Sequence, residues 1–391
     1  MRHSPATRKD LTDLVRQWHE EGTAWVPSGL GSRLHWGPPT HGNPAGLSCR
    51  GLKRVIDHAV DDLTITVEAG LPLQELQSLL AAQGQWLPVD WPRQTDSNQM
   101  DSAGTIGGLV ARGLAGGLRQ RHLAVRDQII GIGLVRPDGT TARAGGRVVK
   151  NVAGYDLMRL LCGSWGSLSL ITELTLRVQP IRPAHAGLLL KGPLADLEAC
   201  RAAALNASLT PERCDWRQQE PGHWQLQVLV SSVSDQAVEN QLSRLEALAE
   251  HHRLSAERHA CDAPLSLEPT PGALHWLVRA VLPPASVHHV LSSPEMQALQ
   301  GWSWDLAAGA GCGDGWQPAT LAPSSPQAVL ALRRKIASMG GTLTVLQQPK
   351  DATQRVDAWI DAPAKAVIQA VKRQFDPKGQ LSPGRLPGVA G

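Results

Sequence analysis

The density of glycine between residues 101 and 178 constrains this chain more than any other feature. It opens with Gly104-Thr105-Ile106-Gly107-Gly108. It continues through further glycines, a hairpin signal over residues 129–140 and a strand-like run over 163–178. Glycines beside predicted strands indicate backbone that adopts positive φ or lies close to a neighbour. One glycine pair would favour an ordinary tight loop. Several in one segment favour a large ligand held by main-chain groups.

A second glycine motif precedes this segment. Residues 23–26 predict a short strand that ends in Pro27-Ser28-Gly29-Leu30-Gly31-Ser32. Alternating glycines let successive amides point into one concavity that binds anions, and the last serine adds a hydroxyl donor. A plain turn explains this motif alone equally well. No third glycine and no clear helix start follow at the spacing of the usual dinucleotide fingerprint.

Composition places the chain among ordinary globular proteins. With 391 residues it has room for two domains, and 42% hydrophobic against 19% charged residues is typical of a folded protein. The net charge of +3 gives no argument for nucleic-acid binding. Residues 1–6 lack the apolar core of a signal peptide, and no apolar run is long enough to span a bilayer. We therefore expect a cytoplasmic protein.

The cysteines and histidines do not form a recognised metal motif. The six cysteines are scattered without a Cys-x-x-Cys pair, which excludes the usual iron–sulfur and structural zinc spacings. The pairs His251-His252 and His288-His289 lie in polar segments with a helical pattern. We expect reduced, mostly structural thiols and no metal site.

Apolar periodicity predicts helices over 10–21 and 73–80, a half-buried strand over 63–67 and a central strand over 170–178. The basic cluster at residues 119–126 is typical of a solvated loop. The sequence pattern changes near residues 180–183, where we place a domain boundary. Beyond it, helices are predicted over 194–206, 235–251 and 327–339, and strands over 223–231, 276–282 and 342–346. These suggest a small sheet covered by helices, followed by a structured extended tail over 375–386.

These motifs, in this order, resemble a known family. Residues 27–32, Thr105-Ile106-Gly107-Gly108, Lys150 to Asp156 and Gly166-Ser167-Leu168 through Glu173 are similar to the FAD-binding domain of the vanillyl-alcohol oxidase type, also called the PCMH fold. The tail Phe375-Asp376-Pro377 to Pro383-Gly384-Arg385 resembles the closing motif of the family. Within the family, the FAD-binding subunits of glycolate oxidase fit best.

The resemblance implies an α+β fold of three parts. Residues 1–181 would form a two-part FAD-binding PCMH-type domain, residues 182–370 a smaller α+β cap on the substrate side, and residues 371–391 a tail that returns to the flavin domain. FAD would bind non-covalently. The implied cofactor-binding residues are Pro27, Ser28, Gly29, Leu30, Gly31, Ser32, Gly104, Thr105, Ile106, Gly107, Gly108, Gly154, Tyr155, Gly166, Leu168, Ile171 and Thr172.

The resemblance also implies roles for the two glycine loops. Amides of residues 27–32 and 104–108 would hold the pyrophosphate of FAD by charge-assisted hydrogen bonds. A Cβ at Gly29, Gly31, Gly107 or Gly108 would push the phosphates or the isoalloxazine away. The strand over 168–173 would flank the flavin with backbone groups. For covalent attachment His122 and Cys162 are the candidates, but a surface histidine and a buried thiol are the simpler interpretations.

The sequence departs from the family in three places. Ser382 stands where the family usually has asparagine before proline, and serine can keep one hydrogen bond there. The segment 310–316 lacks the histidine of the His-x-Gly-Asp-Gly-Asn motif of catalytic relatives, which puts substrate oxidation by this chain alone in doubt. No cysteine set could hold an iron–sulfur cluster, so electrons would leave through a partner. The catalytic residues stay unknown at this stage.

The first functional hypothesis is therefore an FAD-binding subunit of a glycolate (2-hydroxy acid) dehydrogenase complex. Its implied partners are a homologous catalytic flavoprotein subunit and an iron–sulfur subunit, with peripheral membrane association through those partners. The second hypothesis is a self-sufficient FAD-dependent dehydrogenase of D-lactate-like acids. The third is a structural subunit that has lost flavin, against which the intact glycines argue.

Overall fold

The computed structural model describes residues 2–91, 103–146, 156–220, 222–259, 273–350 and 354–390. The first part of the chain builds three sheets and six helices within these ranges. Its helices are α1 (Arg8–Glu21), α2 (Leu73–Ala81), α3 (Ile106–Arg112), α4 (Arg119–His122), α5 (Val125–Gln128) and α6 (Leu157–Leu161). Its strands are β1 (Arg2–His3), β2 (Trp25–Ser28), β3 (Ala45–Ser48), β4 (Val55–Ala59), β5 (Thr64–Glu68), β6 (Gln85–Trp86), β7 (Ile129–Val135), β8 (Thr141–Gly145), β9 (Leu170–Arg177) and β10 (Gln179–Pro180).

A five-stranded antiparallel sheet carries the core of this part, in the order β4-β5-β9-β7-β8. The predicted central strand is confirmed, because β9 lies between β5 and β7. Its apolar residues Leu170, Leu174 and Leu176 are buried. The apolar face of α2 packs on the same core, as its leucine spacing predicts.

A smaller parallel sheet, in the order β1-β3-β2, carries the first glycine motif at the end of β2. Helix α1 packs against it through Leu11, Val15 and Trp18. The helix ends at Gly22, which adopts the left-handed conformation with φ +73° that suits glycine. The predicted helix and its break are both confirmed.

The second part of the chain is built on one large sheet. Its strands are β11 (Ala184–Lys191), β12 (Pro211–Glu220), β13 (His223–Ser232), β14 (Ser255–His259), β15 (Leu274–Val281), β16 (Ser303–Ala307), β17 (Cys312–Pro318) and β18 (Thr342–Gln347). Its helices are α7 (Leu194–Asn206), α8 (Asp235–His251), α9 (Val287–Leu291), α10 (Pro294–Gln297) and α11 (Pro326–Ser338). The eight strands follow the order β14-β11-β13-β12-β16-β17-β15-β18.

The prediction of a small sheet here was wrong, although the predicted helices and strands are present. Strands β12, β16 and β17 escaped the sequence analysis because one face of each carries charged residues where an apolar residue is expected. Arg213, Asp215 and Asp305 lie buried on that face, which meets the first part of the chain. The opposite face packs on α7, α8 and α11 and forms a separate apolar core.

The tail is tied down, as predicted. After helix α12 (Lys365–Phe375), residue Leu381 bridges to Trp25 of β2, and the backbone of Trp25 bonds to Gln380 and Ser382. The Ser382 hydroxyl donates to the carbonyl of Gly166 at 2.9 Å, so the expected single hydrogen bond is kept. Ser382 has a φ of +47°, a left-handed conformation that asparagine tolerates better than serine.

None of the helices in the described ranges is long and apolar enough to cross a membrane. The same ranges contain no group of three or more histidine, cysteine or acidic residues that could hold a metal ion.

Candidate functional site

A cleft of about 980 Å³, measured with its open mouth, lies between the two glycine motifs. One wall is the loop 27–32 after β2, which we call the first glycine loop. The other is the segment 103–108 that leads into α3, which we call the second glycine loop. The floor consists of Ser169 and the first two residues of strand β9, Leu170 and Ile171.

The first glycine loop offers free amides to the cleft. Gly31 adopts φ +82°, and the amides of Leu30, Gly31 and Ser32 have no acceptor among the described residues. The carbonyl of Gly29 points the other way and accepts from the Ser48 hydroxyl at 2.8 Å. The loop therefore has the form of an anion-binding concavity of backbone N–H groups.

The second glycine loop uses its amides differently, and the prediction that they hold pyrophosphate was wrong for three of them. The amide of Ile106 donates to the carbonyl of Leu71, and that of Gly107 to the carbonyl of Ala69. The amide of Gly108 donates to the Thr105 hydroxyl, which caps α3. A backbone N–H bonded in this way has no proton left for a phosphate.

The glycines of both loops are also required by protein neighbours. A Cβ at Gly29 would lie 2.9 Å from the Cβ of Thr105, and one at Gly107 would lie 2.7 Å from both the Cβ and the carbonyl oxygen of Ala69. Gly31 is required by its φ of +82° instead, because the Arg2 guanidinium that its Cβ would meet ends a flexible side chain and can move. Intact glycines therefore do not argue against a subunit that has lost flavin, because the fold itself needs them. Gly108 is the exception, since only the Thr105 hydroxyl, at 3.3 Å, would meet its Cβ.

Arg33 places a cation between the two loops. Its Nη1 donates to the Ser32 hydroxyl at 3.1 Å and would lie 3.0 Å from a Cβ at Gly104. The guanidinium also lies 5.2 Å from the ring centroid of Trp36. Burial lowers the pKa of Arg33 to about 10, so it is still charged at neutral pH. A cation beside free amides suits a phosphate group.

Two more arginines line the cleft. Arg112, at the end of α3, stacks on Trp165 with its Cζ 3.8 Å from the ring centroid. Arg385 of the tail donates to the carbonyls of Pro38 and Leu34 and so holds the tail against the segment after the first glycine loop. The sequence analysis missed all three arginines. Arg33 left a signal because it directly follows a glycine motif, and Arg385 because it ends the closing motif of the tail.

The structure brings most of the predicted site residues together at the cleft. Those that line it are Pro27, Ser28, Gly29, Leu30, Gly31, Ser32, Gly104, Thr105, Gly107, Gly108, Gly166 and Ile171. Ile106, Leu168 and Thr172 are not among the residues that line it, and their side chains are buried. Gly154 and Tyr155 lie outside the described residues. Contact of each residue with a cofactor stays a prediction.

The candidates for covalent attachment do not line the cleft. His122 contacts Glu212 of β12 through Nε2, and burial raises the pKa of Cys162 to about 12, so the thiol is not a nucleophile at neutral pH. The predicted solvated loop at 119–126 was also wrong in part, since Arg121 and His122 both pair with the buried Glu212. These contacts join the two parts of the chain.

The segment without the histidine motif forms strand β17. Asp314 pairs with Arg279 of β15 at 2.8 Å, on the charged face of the large sheet. Buried Asp215 lies in the same layer and pairs with Arg213 at 2.8 Å, while Arg213 reaches Asp90. Gly117 lies directly against this pair, because a Cβ there would be 2.7 Å from the Nε of Arg213.

The class of the first part follows from the fold, the cleft and one match to a family model. Residues 3–145 match the family described as "FAD binding domain". This match defines residues 3–145 as an FAD-binding domain of the PCMH type, in a chain whose fold is α+β. FAD is therefore its cofactor. The free amides of the first glycine loop and the guanidinium of Arg33 fit the pyrophosphate of that group.

Two relatives of this chain have names that refer to the oxidation of hydroxy acids. The chain is 32% identical over 219 residues to glycolate oxidase subunit GlcE of Escherichia coli (strain K12), covering 56% of this chain and 55% of that protein. It is 32% identical over 184 residues to the mitochondrial D-lactate dehydrogenase [cytochrome] of Arabidopsis thaliana, covering 46% and 30%. The match thus spans about half or less of these proteins.

Two further comparisons cover the whole chain. An uncharacterized FAD-linked oxidoreductase of Mycobacterium tuberculosis (strain CDC 1551 / Oshkosh) is 26% identical over 424 aligned positions, covering 97% of this chain and 89% of that protein. The structure of an alkyldihydroxyacetonephosphate synthase aligns with a TM-score of 0.66 and 14% identity, covering 97% of this chain and 75% of that one. The latter likeness concerns the fold alone.

Proposed function

We propose that this protein is the FAD-binding subunit of a glycolate (2-hydroxy acid) dehydrogenase complex that oxidises glycolate to glyoxylate. The observation that carries the proposal is the first glycine loop, whose free amides and neighbouring Arg33 face the cleft. The similarity to glycolate oxidase subunit GlcE supports the assignment of the substrate.

The residues of the chain bind and position the cofactor. The amides of Leu30, Gly31 and Ser32 and the guanidinium of Arg33 would hold the pyrophosphate. The second glycine loop shapes the opposite wall without donating the amides of residues 106–108. The Ser169 hydroxyl on the floor of the cleft is buried without a hydrogen-bond partner among the described residues, and so it can bond to the ligand. FAD, when bound, supplies the capacity to accept a hydride from a hydroxy acid.

Partners follow from chemistry and from the relatives. A flavin that takes two electrons from an alcohol must pass them on, and the cysteines of this chain have no spacing that would hold an iron–sulfur cluster. We therefore propose that an iron–sulfur partner accepts these electrons from the flavin. Glycolate oxidase subunit GlcD of Bacillus subtilis (strain 168), 31% identical over 179 residues, supports a homologous catalytic flavoprotein partner. The complex would be cytoplasmic, with any membrane contact made by those partners.

A second candidate is a dehydrogenase of D-lactate-like acids that needs no partner for the substrate step. The similarity to D-lactate dehydrogenase favours it. The charged layer at Arg279 and Asp314 offers polar groups beside the domain junction, but no histidine base stands in that segment.

An absorbance spectrum of the purified chain, loaded with FAD and then treated anaerobically with glycolate or D-lactate, separates these functions. The accessory subunit is expected to show a flavin spectrum that stays oxidised until its partners are added. Bleaching by substrate alone would establish an independent dehydrogenase. Absence of flavin after FAD loading would leave only a structural subunit and would contradict the proposal.

A further inference from the structure

Arg112 lies at the end of the cleft that faces the second part of the chain. Helix α3 runs from the second glycine loop to this residue, so its Cα is about 7.5 Å further along the helix axis than that of Gly107. Its stacking partner Trp165 packs edge-on against Trp359, with 5.1 Å between ring centroids. We call this region, lined by Arg112, Leu114 and Trp165, the cap-facing end of the cleft.

The guanidinium of Arg112 is held in place by two contacts, but one of its nitrogen atoms donates no hydrogen bond. Its Nη2 donates to the carbonyl of Arg33 at 2.8 Å, and its plane lies over Trp165. Its Nη1 is buried and has no hydrogen-bond partner among the described residues. A buried donor of this kind is costly unless a ligand accepts from it.

The charges around Arg112 are positive. Burial, together with the nearby guanidiniums of Arg385 and Arg33, lowers the pKa of Arg112 to about 9. The pKa of neighbouring His35 is lowered by burial and by Arg112, Arg33 and Lys350. No carboxylate among the described residues forms an ion pair with Arg112 or Arg385. This end of the cleft is therefore electrostatically complementary to an anion.

The pyrophosphate of FAD does not account for this charge. In the function proposed above, the amides of residues 30–32 and Arg33 meet the phosphates at the first glycine loop. Arg112 Nη1 then remains for a second anionic group. Leu114 and Trp165, which line this end with Arg112, are apolar, and a charge-assisted hydrogen bond is stronger beside apolar groups than in water.

We propose that Arg112 Nη1 binds the carboxylate of the 2-hydroxy acid at the cap-facing end of the cleft, whether or not this chain alone oxidises that acid. This inference rests on the proposed function for the presence of FAD. It assigns to the flavin domain a contact with substrate that no comparison assigns. The FAD phosphates also carry anionic oxygens that could accept from Arg112. The experiment therefore separates binding of the carboxylate from binding of the phosphates.

The test is a titration of the FAD-loaded protein with oxalate, a carboxylate that does not reduce flavin, followed by the change in flavin absorbance. Arg112→Gln is compared with wild type and with Arg159→Gln, which removes an exposed arginine paired with Asp156 at the surface. We expect the oxalate Kd to rise about 10- to 100-fold in Arg112→Gln and to stay unchanged in Arg159→Gln. FAD affinity should change by less than about 2-fold.

Arg112→Lys guards against a folding defect, because lysine keeps the charge but not the stacked fork. It should raise the oxalate Kd less than glutamine does. Loss of FAD in Arg112→Gln with an unchanged oxalate Kd in the remaining holoprotein would assign Arg112 to the phosphates and overturn the inference. A wild-type flavin that oxalate does not perturb would overturn it too, while leaving FAD binding intact. A wild type that binds no FAD would instead overturn the proposed function.

Discussion

The two glycine loops are similar in sequence but have different roles in the structure. In the first glycine loop, the amides of residues 30–32, which line the cleft, have no acceptor among the described residues. In the second glycine loop, the amides of residues 106–108 donate to Leu71, Ala69 and Thr105. Gly107 is needed because α3 packs directly on Ala69. Glycine density therefore indicates close approach of the backbone, and only the hydrogen-bond partners show whether the neighbour is a ligand or the protein itself.

The largest expected effect comes from a substitution that disrupts the packing of the second glycine loop. Gly107→Ala should destabilise the protein by about 1–3 kcal/mol, because the new Cβ would lie 2.7 Å from Ala69. Gly108→Ala, one residue along the same helix, should change the free energy of unfolding by less than about 1 kcal/mol, since alanine favours a helix and only the Thr105 hydroxyl is near. Urea unfolding of both variants measures this. Equal destabilisation of the two would contradict the assignment.

The ligand-binding role of the first loop is tested at Arg33. Arg33→Gln should weaken FAD binding by about 10- to 100-fold, because it removes a charge-assisted contact to the phosphates. Fluorescence titration of the apoprotein with FAD measures the affinity. Arg50→Gln is the matched control, since Arg50 is exposed and follows β3 nearby. An unchanged affinity in Arg33→Gln would move the phosphates away from this loop.

A third glycine contact, at Gly117, joins the two parts of the chain and should depend on pH. Burial, together with Asp305 and Asp90, raises the pKa of Asp215 to about 6 against the opposing effect of Arg213. A carboxyl whose pKa is higher in the folded state stabilises the fold when protonated, and this contribution is lost as pH rises through about 6.

Asp215→Asn should therefore flatten the dependence of stability on pH between about 4 and 7, with a change on the order of 1–3 kcal/mol over that range. Unfolding midpoints of wild type and variant across this pH range measure it. A wild type that becomes more stable as pH rises through this window, relative to the variant, would show that the Asp215 pKa is lowered by Arg213 instead.

The smallest effect concerns a positive-φ position that carries no glycine. Ser382 adopts φ +47° and donates to Gly166 of the glycine-dense segment. Ser382→Asn should stabilise the protein by about 0.5 kcal/mol, because asparagine tolerates the left-handed region better and its amide can replace the hydroxyl. Ser382→Ala should cost about 1 kcal/mol by losing that hydrogen bond. Thermal unfolding ranks the three proteins, and a serine that ranks above asparagine would contradict this account.

Much of the fold could be predicted from local pattern. The helices over 8–21, 194–206 and 235–251 and the central strand β9 follow apolar periodicities that survive in the structure. Strands β12, β16 and β17 could not be predicted this way. Their polar face is buried against another part of the chain, and the pairing of Arg213 with Asp90 joins positions that are far apart in sequence.

The site was predictable only where one segment builds it alone. The first glycine loop depends on its own backbone, and its sequence indicated an anion-binding concavity. The acceptors of the Ile106 and Gly107 amides lie at Leu71 and Ala69. The ring that holds Arg112 is Trp165, more than fifty positions along the chain. Contacts that are distant in sequence leave no local pattern.

The central claim is that the first glycine loop binds FAD through its amides while the second only shapes the cleft. Hydrogen–deuterium exchange with and without FAD measures those amides directly. The account predicts that peptides covering residues 29–32 gain protection when FAD binds, whereas residues 106–108 exchange slowly in both states. Protection gained at residues 106–108 with none at 29–32 would contradict it.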